Sequence, residues 1–170
     1  MAPPLRLILT RHAKSSWKDP SLDDFERPLS RRGRRAADLL GKKLAAEGLC
    51  PDQVLHSSAT RARETWERIA RHCRARDVSG HDALYLSSPA EMIACLRRHA
   101  TAPAVMLVAH NPGIAALARQ LAANPPTHPA FRRYITGATT LLDLPVSTWR
   151  DLAPETRGHV AAFISPRDLE

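Results

Sequence analysis

Two histidines and two arginines stand where chemistry on an anion would need them. Arg11-His12, Ser57-Ser58-Ala59-Thr60-Arg61 and His110-Asn111 each follow a short apolar run that reads as a buried strand. A phosphoryl group in transfer spreads negative charge over three oxygens. Arginine meets such oxygens with a planar fork that stays charged. Histidine offers a nucleophilic nitrogen when neutral and a donor when charged. A pocket of these four groups can hold a phosphoryl group without a metal, so we expect no cofactor and no metal site. No Gly-x-x-x-x-Gly-Lys loop is present, which argues against P-loop nucleotide binding.

Positioning these residues requires an alternation of strands and helices. Strands are expected at Leu5 to Thr10, Val54 to His56, Ala104 to Ala109, Thr139 to Leu144 and His159 to Ile164, with another between the second and third of these. Ser30 can cap a helix with apolar positions Ala37, Leu40, Gly41 and Leu44, and Gly48 can end it. Ala62, Trp66, Ile69, Ala70 and Cys73 mark one face of the next helix. Ser88-Pro89-Ala90-Glu91 is a capping box with proline at the first helical position, opening a helix to about His99. Asn111-Pro112 would cap and start a helix carrying Ile114, Leu117, Ala118 and Leu121, and the proline-rich stretch Asn124 to Pro129 reads as a loop. The expected fold is a three-layer α/β/α sandwich with a mostly parallel central sheet, formed by residues 1–170 as one domain. Ligands bind at the carboxyl ends of strands in such sheets, which is where the four groups fall.

Composition narrows the function classes. The chain has 170 residues, 44% hydrophobic and 25% charged, enough for a packed core. No apolar stretch is long enough to cross a bilayer, and the N-terminus has no leader-like apolar run, so a cytoplasmic protein is expected. Cys50, Cys73 and Cys95, an odd number without a Cys-x-x-Cys pair, read as buried thiols rather than a disulfide frame or zinc site. The net charge of +8 suits an anionic partner. Nucleic acid is disfavoured because only 5% of residues are aromatic and none interleave with a basic stripe. The run Arg31-Arg32-Gly33-Arg34-Arg35 is best taken as a solvated helix face.

Four segments together resemble the histidine phosphatase superfamily, and most of all its short SixA-type branch, whose members act on phosphohistidine in signalling proteins. They are Leu9-Thr10-Arg11-His12-Ala13-Lys14-Ser15-Ser16-Trp17; Asp24-Phe25-Glu26-Arg27-Pro28-Leu29 followed by Gly33; Ser57 through Thr65; and Val108-Ala109-His110-Asn111-Pro112-Gly113. The resemblance covers residues 5 to 144. Alanine replaces the glycine of the family's Arg-His-Gly signature. The resemblance implies that His12 is the nucleophile and that Arg11, Arg61 and His110 bind the phosphoryl oxygens. Ser15 and Lys18 match family positions near the phosphate.

Two departures from larger family members bear on the substrate. The stretch between Arg61 and His110 is already filled by two helices and two strands, so no helical lid subdomain fits and the site should be shallow. No carboxylate occupies the family's usual general-acid positions. Asp24 is the candidate acid, with Asp19, Glu26 and Asp82 behind it; the alternative for Asp24 is an ion pair with Arg27 that shapes the loop. The expected activity is metal-independent hydrolysis through a phosphohistidine intermediate on His12. The expected partner is a phosphohistidine protein or a small phosphate ester, with no nucleic acid or membrane partner. A small-molecule phosphomonoesterase and a non-enzymatic phosphoprotein-binding module are the alternatives. Mutase chemistry would need a closed pocket.

Overall fold

Continuous burial along the central strands explains why the chain folds as layers, with helices on both faces of the sheet. In the computed structural model, which describes residues 3–170, a six-stranded sheet has the order β3-β2-β4-β1-β5-β6. The strands are β1 (Leu5–Arg11), β2 (Gln53–Ser57), β3 (Asp77–His81), β4 (Ala104–Ala109), β5 (Thr139–Leu144) and β6 (His159–Ile164). β1 pairs parallel with β4, β4 with β2, and β2 with β3; β5 runs antiparallel to both β1 and β6. The sheet is therefore mostly parallel, as expected.

Side chains on successive strand residues point to opposite faces, and both faces are covered. Leu7, Leu9, Val105 and Leu107 pack with α3 (Pro89–His99) and α4 (Gly113–Leu121) in one core. Ile8, Val54, Met106 and Val108 pack with α1 (Arg31–Ala46) and α2 (Thr60–Ile69) in the other. A short helix, α5 (Pro129–Arg133), contributes Phe131 to the first core. Among the described residues no lid subdomain covers the sheet end, and no helix is long and apolar enough to cross a membrane.

The local signals for the helices hold where the side chain that makes them faces its own backbone. Ser30 accepts from the Gly33 amide, and Ser88 and Glu91 form the reciprocal capping box. Gly48 follows α1 at φ 68°, a left-handed conformation that costs glycine little. Arg31, Arg32, Arg34 and Arg35 are solvent-exposed around buried Gly33, the solvated face the run suggested.

Three readings are corrected. Cys50 and Cys73 form a disulfide, with Cα atoms 5.4 Å apart, and only Cys95 is a free buried thiol. The pairing is long-range: the packing of α1 against α2 brings the segments that follow them together, and sequence spacing carries no trace of that. Ala70 is exposed because α2 ends at Ile69, so it leaves the apolar face assigned to it. Asn111 does not cap α4; its amide donates instead to the carbonyls of Arg133 and Tyr134, and Pro112 takes the cap position with no side-chain hydrogen bond.

Candidate active site

β2, β4 and β1 are neighbours and parallel, so their carboxyl ends lie side by side. That adjacency brings together residues far apart in sequence. His12 follows β1 and His110 follows β4, and their rings lie 5.0 Å apart. Arg61 enters from the first turn of α2, immediately after β2. A cavity of about 230 Å³ is lined by Arg11, His12, Ser15, Arg61 and His110, joined by Lys14, Arg27, Asn111 and Thr136, with Trp17 and Leu86 at its edge.

The loop carrying His12 is held by close backbone packing. A Cβ on Gly33 would fall 2.0 Å from the Lys14 carbonyl oxygen, so only glycine lets α1 approach this loop. Ser30 donates to the same carbonyl through its amide at 2.9 Å and its hydroxyl at 3.1 Å. Thr65 of α2 accepts from the Ala13 amide at 2.9 Å and donates to the Arg61 carbonyl, tying the histidine loop to the arginine helix. On the other side, a Cβ on Gly113 would sit 1.9 Å from the Ser87 carbonyl oxygen. The 85–87 segment therefore lies directly against the start of α4.

A backbone carbonyl sets the His12 tautomer. His12 Nδ1–H donates to the Ala13 carbonyl at 2.7 Å, leaving the Nε2 lone pair on the ring's other side. Arg61 Nε–H reaches that Nε2 at 3.4 Å. Burial, with His110, Arg61 and Arg11 nearby, pushes His12 down to about 3, so it is neutral at pH 7. His110 is likewise pushed down to about 3, by burial and then by Arg61. Its Nε2 lies 2.8 Å from Ser57 Oγ, which itself accepts from the Ala59 amide. When the Ser57 hydroxyl donates to His110 Nε2, His110 Nδ1 carries the ring proton. That Nδ1 and Arg11 Nε are buried without a partner, two donors that an anion in the cavity would satisfy.

Asp24 plays a larger part than a loop-shaping pair. It accepts from Arg27 at 3.2 Å, as the simpler reading had it, but also from Arg61 at 3.0 Å and from the Tyr85 hydroxyl. Its backbone carbonyl accepts from Arg61 as well, at 2.6 Å. The Tyr85 hydrogen bond, then Arg61 and Arg27, hold its carboxyl down to about 2. The other carboxylates named behind it stay outside: Asp19 bonds to Ser21, and Glu26 and Asp82 are exposed.

Lys18 is not brought to the cavity; its side chain is exposed, while Lys14, four residues earlier, lines it. Sequence reasoning passed over Arg27, Lys14 and Tyr85. Arg27 is buried, bonds to Ser15 at 2.8 Å, and lies 3.5 Å beneath the Trp17 ring. It sits inside a segment already singled out, Asp24 to Leu29, so its signal was present. Tyr85 reaches the site across the fold, its ring edge-on to His110 at 5.4 Å between centroids and its hydroxyl on Asp24.

The comparisons with known proteins agree with this architecture. The sequence profile of the histidine phosphatase superfamily (branch 1) matches residues 7–85. An uncharacterized Mycobacterium tuberculosis protein is 34% identical over 150 residues, covering 85% of this chain and 92% of the relative.

The chain belongs to the histidine phosphatase superfamily.

Within the superfamily it sides with the short SixA-type branch. An Agrobacterium tumefaciens SixA, put forward as a phosphohistidine phosphatase, superposes with a TM-score of 0.81 at 26% identity. That superposition covers 97% of this chain and 100% of the other. An uncharacterized chloroplastic protein of Arabidopsis thaliana is 52% identical over 60 residues, but the chain spans only 28% of that longer protein.

Proposed function

We propose that this protein is a metal-independent phosphatase that passes the phosphoryl group through His12 and acts on phosphohistidine in proteins. One observation carries the mechanism: His12 Nδ1–H is held by the Ala13 carbonyl, so a neutral Nε2 faces Arg61 in a cavity that also holds Arg11 and His110. In the first step the Nε2 lone pair attacks phosphorus, the bond to the leaving group breaks, and the leaving group takes a proton. In the second, water attacks the phosphorus and the P–N bond to Nε2 breaks. Inorganic phosphate leaves with the water oxygen, and His12 regains its lone pair. Arg11, Arg61 and His110 Nδ1–H meet the equatorial oxygens, a preorganised charge clamp. Ser15 orients Arg27 beside them; Lys18 has no part in this reading.

The substrate class is supported by what the site offers and what surrounds it. Expelling an alkoxide benefits ~10²–10⁴-fold from a positioned acid. Asp24, the carboxylate bonded to Arg61, is ionised and bound by two arginines and a tyrosine. Imidazole leaves readily once solvent has protonated it, so phosphohistidine needs no such acid. Trp17 and Leu86, 73% and 56% exposed, stand at the edge of the cavity as apolar contacts for a macromolecular surface. The net charge of +8 favours an acidic one.

The test is kcat/KM on a phosphohistidine protein, an aryl phosphate and glycerol phosphate, with His12→Ala as control. The reading expects the first two to be hydrolysed well, the third poorly, and His12→Ala to be inactive yet folded. A preference for glycerol phosphate would favour a small-molecule phosphomonoesterase, and no turnover at all a phosphoprotein-binding module. A cytoplasmic setting is part of the proposal. The Cys50–Cys73 disulfide suits an oxidising compartment better, so thiol titration of protein taken directly from cells bears on it: reduced cysteines support the cytoplasm.

A further inference from the structure

We infer that His81, Cys95 and His99 form a binding site for a divalent metal of the zinc class, at the open edge of the sheet and apart from the phosphate cavity. One ligand atom from each residue lies within 4.8 Å of the others. Tetrahedral zinc, with bonds near 2.0–2.3 Å, needs ligand atoms about 3.3–3.8 Å apart. The gap is about an ångström, within the reach of small side-chain rotations, and His99 is exposed and free to make one. The residues share no member with the lining of the phosphate cavity.

Each ligand is placed by a different feature of the chain. Cys95 and His99 are four apart on α3, so both project from one face of that helix. His81 is the last residue of edge strand β3, and its ring lies 4.5 Å from that of His99. The Ser79 hydroxyl lies 2.8 Å from His81 Nε2. When that nitrogen donates to Ser79, the ring is oriented and the Nδ1 lone pair is left for the metal, as outer-shell partners do at known sites. Imidazole and thiolate together select soft or borderline metals over magnesium or calcium. A cavity of about 210 Å³ opens beside the three side chains and leaves room for water in the fourth position. Glu91 borders it but is occupied in the capping box of α3. On binding, the Cys95 thiol gives its proton to solvent and the thiolate coordinates the metal. The bound ion would fasten β3 to α3 and stabilise the folded chain by mass action.

The experiment uses the untagged full-length protein, stripped with EDTA and dialysed without reductant so that the Cys50–Cys73 disulfide does not supply competing thiols. Cobalt(II) is titrated as an optical probe, then displaced by zinc. The inference expects one metal per chain, a thiolate-to-cobalt charge-transfer band, and a rise in Tm of about 5–10 °C at a zinc concentration a hundred times Kd. Cys95→Ser should lose the band, and His99→Ala should weaken binding at least tenfold. His99 is exposed at the end of α3, so its variant keeps the test alive if Cys95→Ser misfolds. Absence of the thiolate band in the wild type, or unchanged affinity in His99→Ala, overturns the inference.

Discussion

If His12 is buried as a neutral nucleophile, the protein must lose stability in mild acid, and a single substitution should remove a defined part of that loss. His12 titrates near 6.5 when unfolded and is pushed down to about 3 in the fold by burial, with His110, Arg61 and Arg11 adding to it. Between those values the unfolded chain binds a proton at this residue and the native chain does not, so stability rises with pH and falls as pH drops below 6.5. At pH 5 the imbalance is worth about 2 kcal/mol, from one pH unit per 1.36 kcal/mol over roughly one and a half units. This figure needs only a native value below about 4. His110, pushed down to about 3 in the same way, adds a similar amount, giving about 4 kcal/mol for the pair. His12→Gln keeps an uncharged polar group of similar reach and cannot take up the proton. Urea unfolding at pH 7.5 and pH 5, disulfide intact, should show the wild type losing about 2 kcal/mol more than His12→Gln between the two pH values. Parallel losses would mean that native His12 takes up a proton as readily as the unfolded side chain. Burial would then not keep it neutral, and the argument for a nucleophile poised at Nε2 would fail.

Three further outcomes are expected. Arg61→Lys keeps the charge but loses the fork that spans His12 and the phosphoryl site, so kcat/KM on an aryl phosphate should fall roughly a hundredfold or more; a loss under about threefold would remove Arg61 from the clamp. Asp24→Asn should not slow hydrolysis of phosphohistidine, because an ionised carboxylate supplies no proton. It should tighten inhibition by phosphate or vanadate a few-fold, since it removes a half-exposed charge bonded to Arg61, worth under about 1 kcal/mol after solvent screening, while the asparagine oxygen can still accept from Arg61; a large loss of rate on alkyl phosphates alone would make Asp24 the acid. Activity should survive EDTA, because two arginines and two histidines supply the charge and donors that a metal would; loss in EDTA restored by zinc or magnesium would refute the mechanism.

Much of the fold was legible because its causes are local. Hydrophobic runs the length of buried strands, a serine facing its own helix turn and a capping box all act within a few residues, so a sequence displays them directly. The four residues after the strand ends were legible for a related reason: in a parallel sheet, the end of each strand is a fixed place relative to the others. Gly33 belongs to a segment legible in sequence, but its purpose, close contact with the Lys14 carbonyl, is visible only in the structure.

What only the tertiary structure decided is which distant atoms meet. Lys14 faces the cavity and Lys18 does not, a choice set by the loop's path between Gly33 and Thr65 rather than by either residue's chemistry. Asp24 bonds to Arg61 and Tyr85 across segments that share no local pattern, and those contacts hold its carboxyl ionised. Cys50 finds Cys73, and His81 finds Cys95 and His99, because helices and an edge strand pack at angles that no spacing encodes. The sequence by itself determined the elements and the residue types that stand at the strand ends, since propensity and periodicity are properties of neighbours in the chain. The protonation state of His12 was left to the fold, because it depends on burial and on charges brought in from β4 and α2.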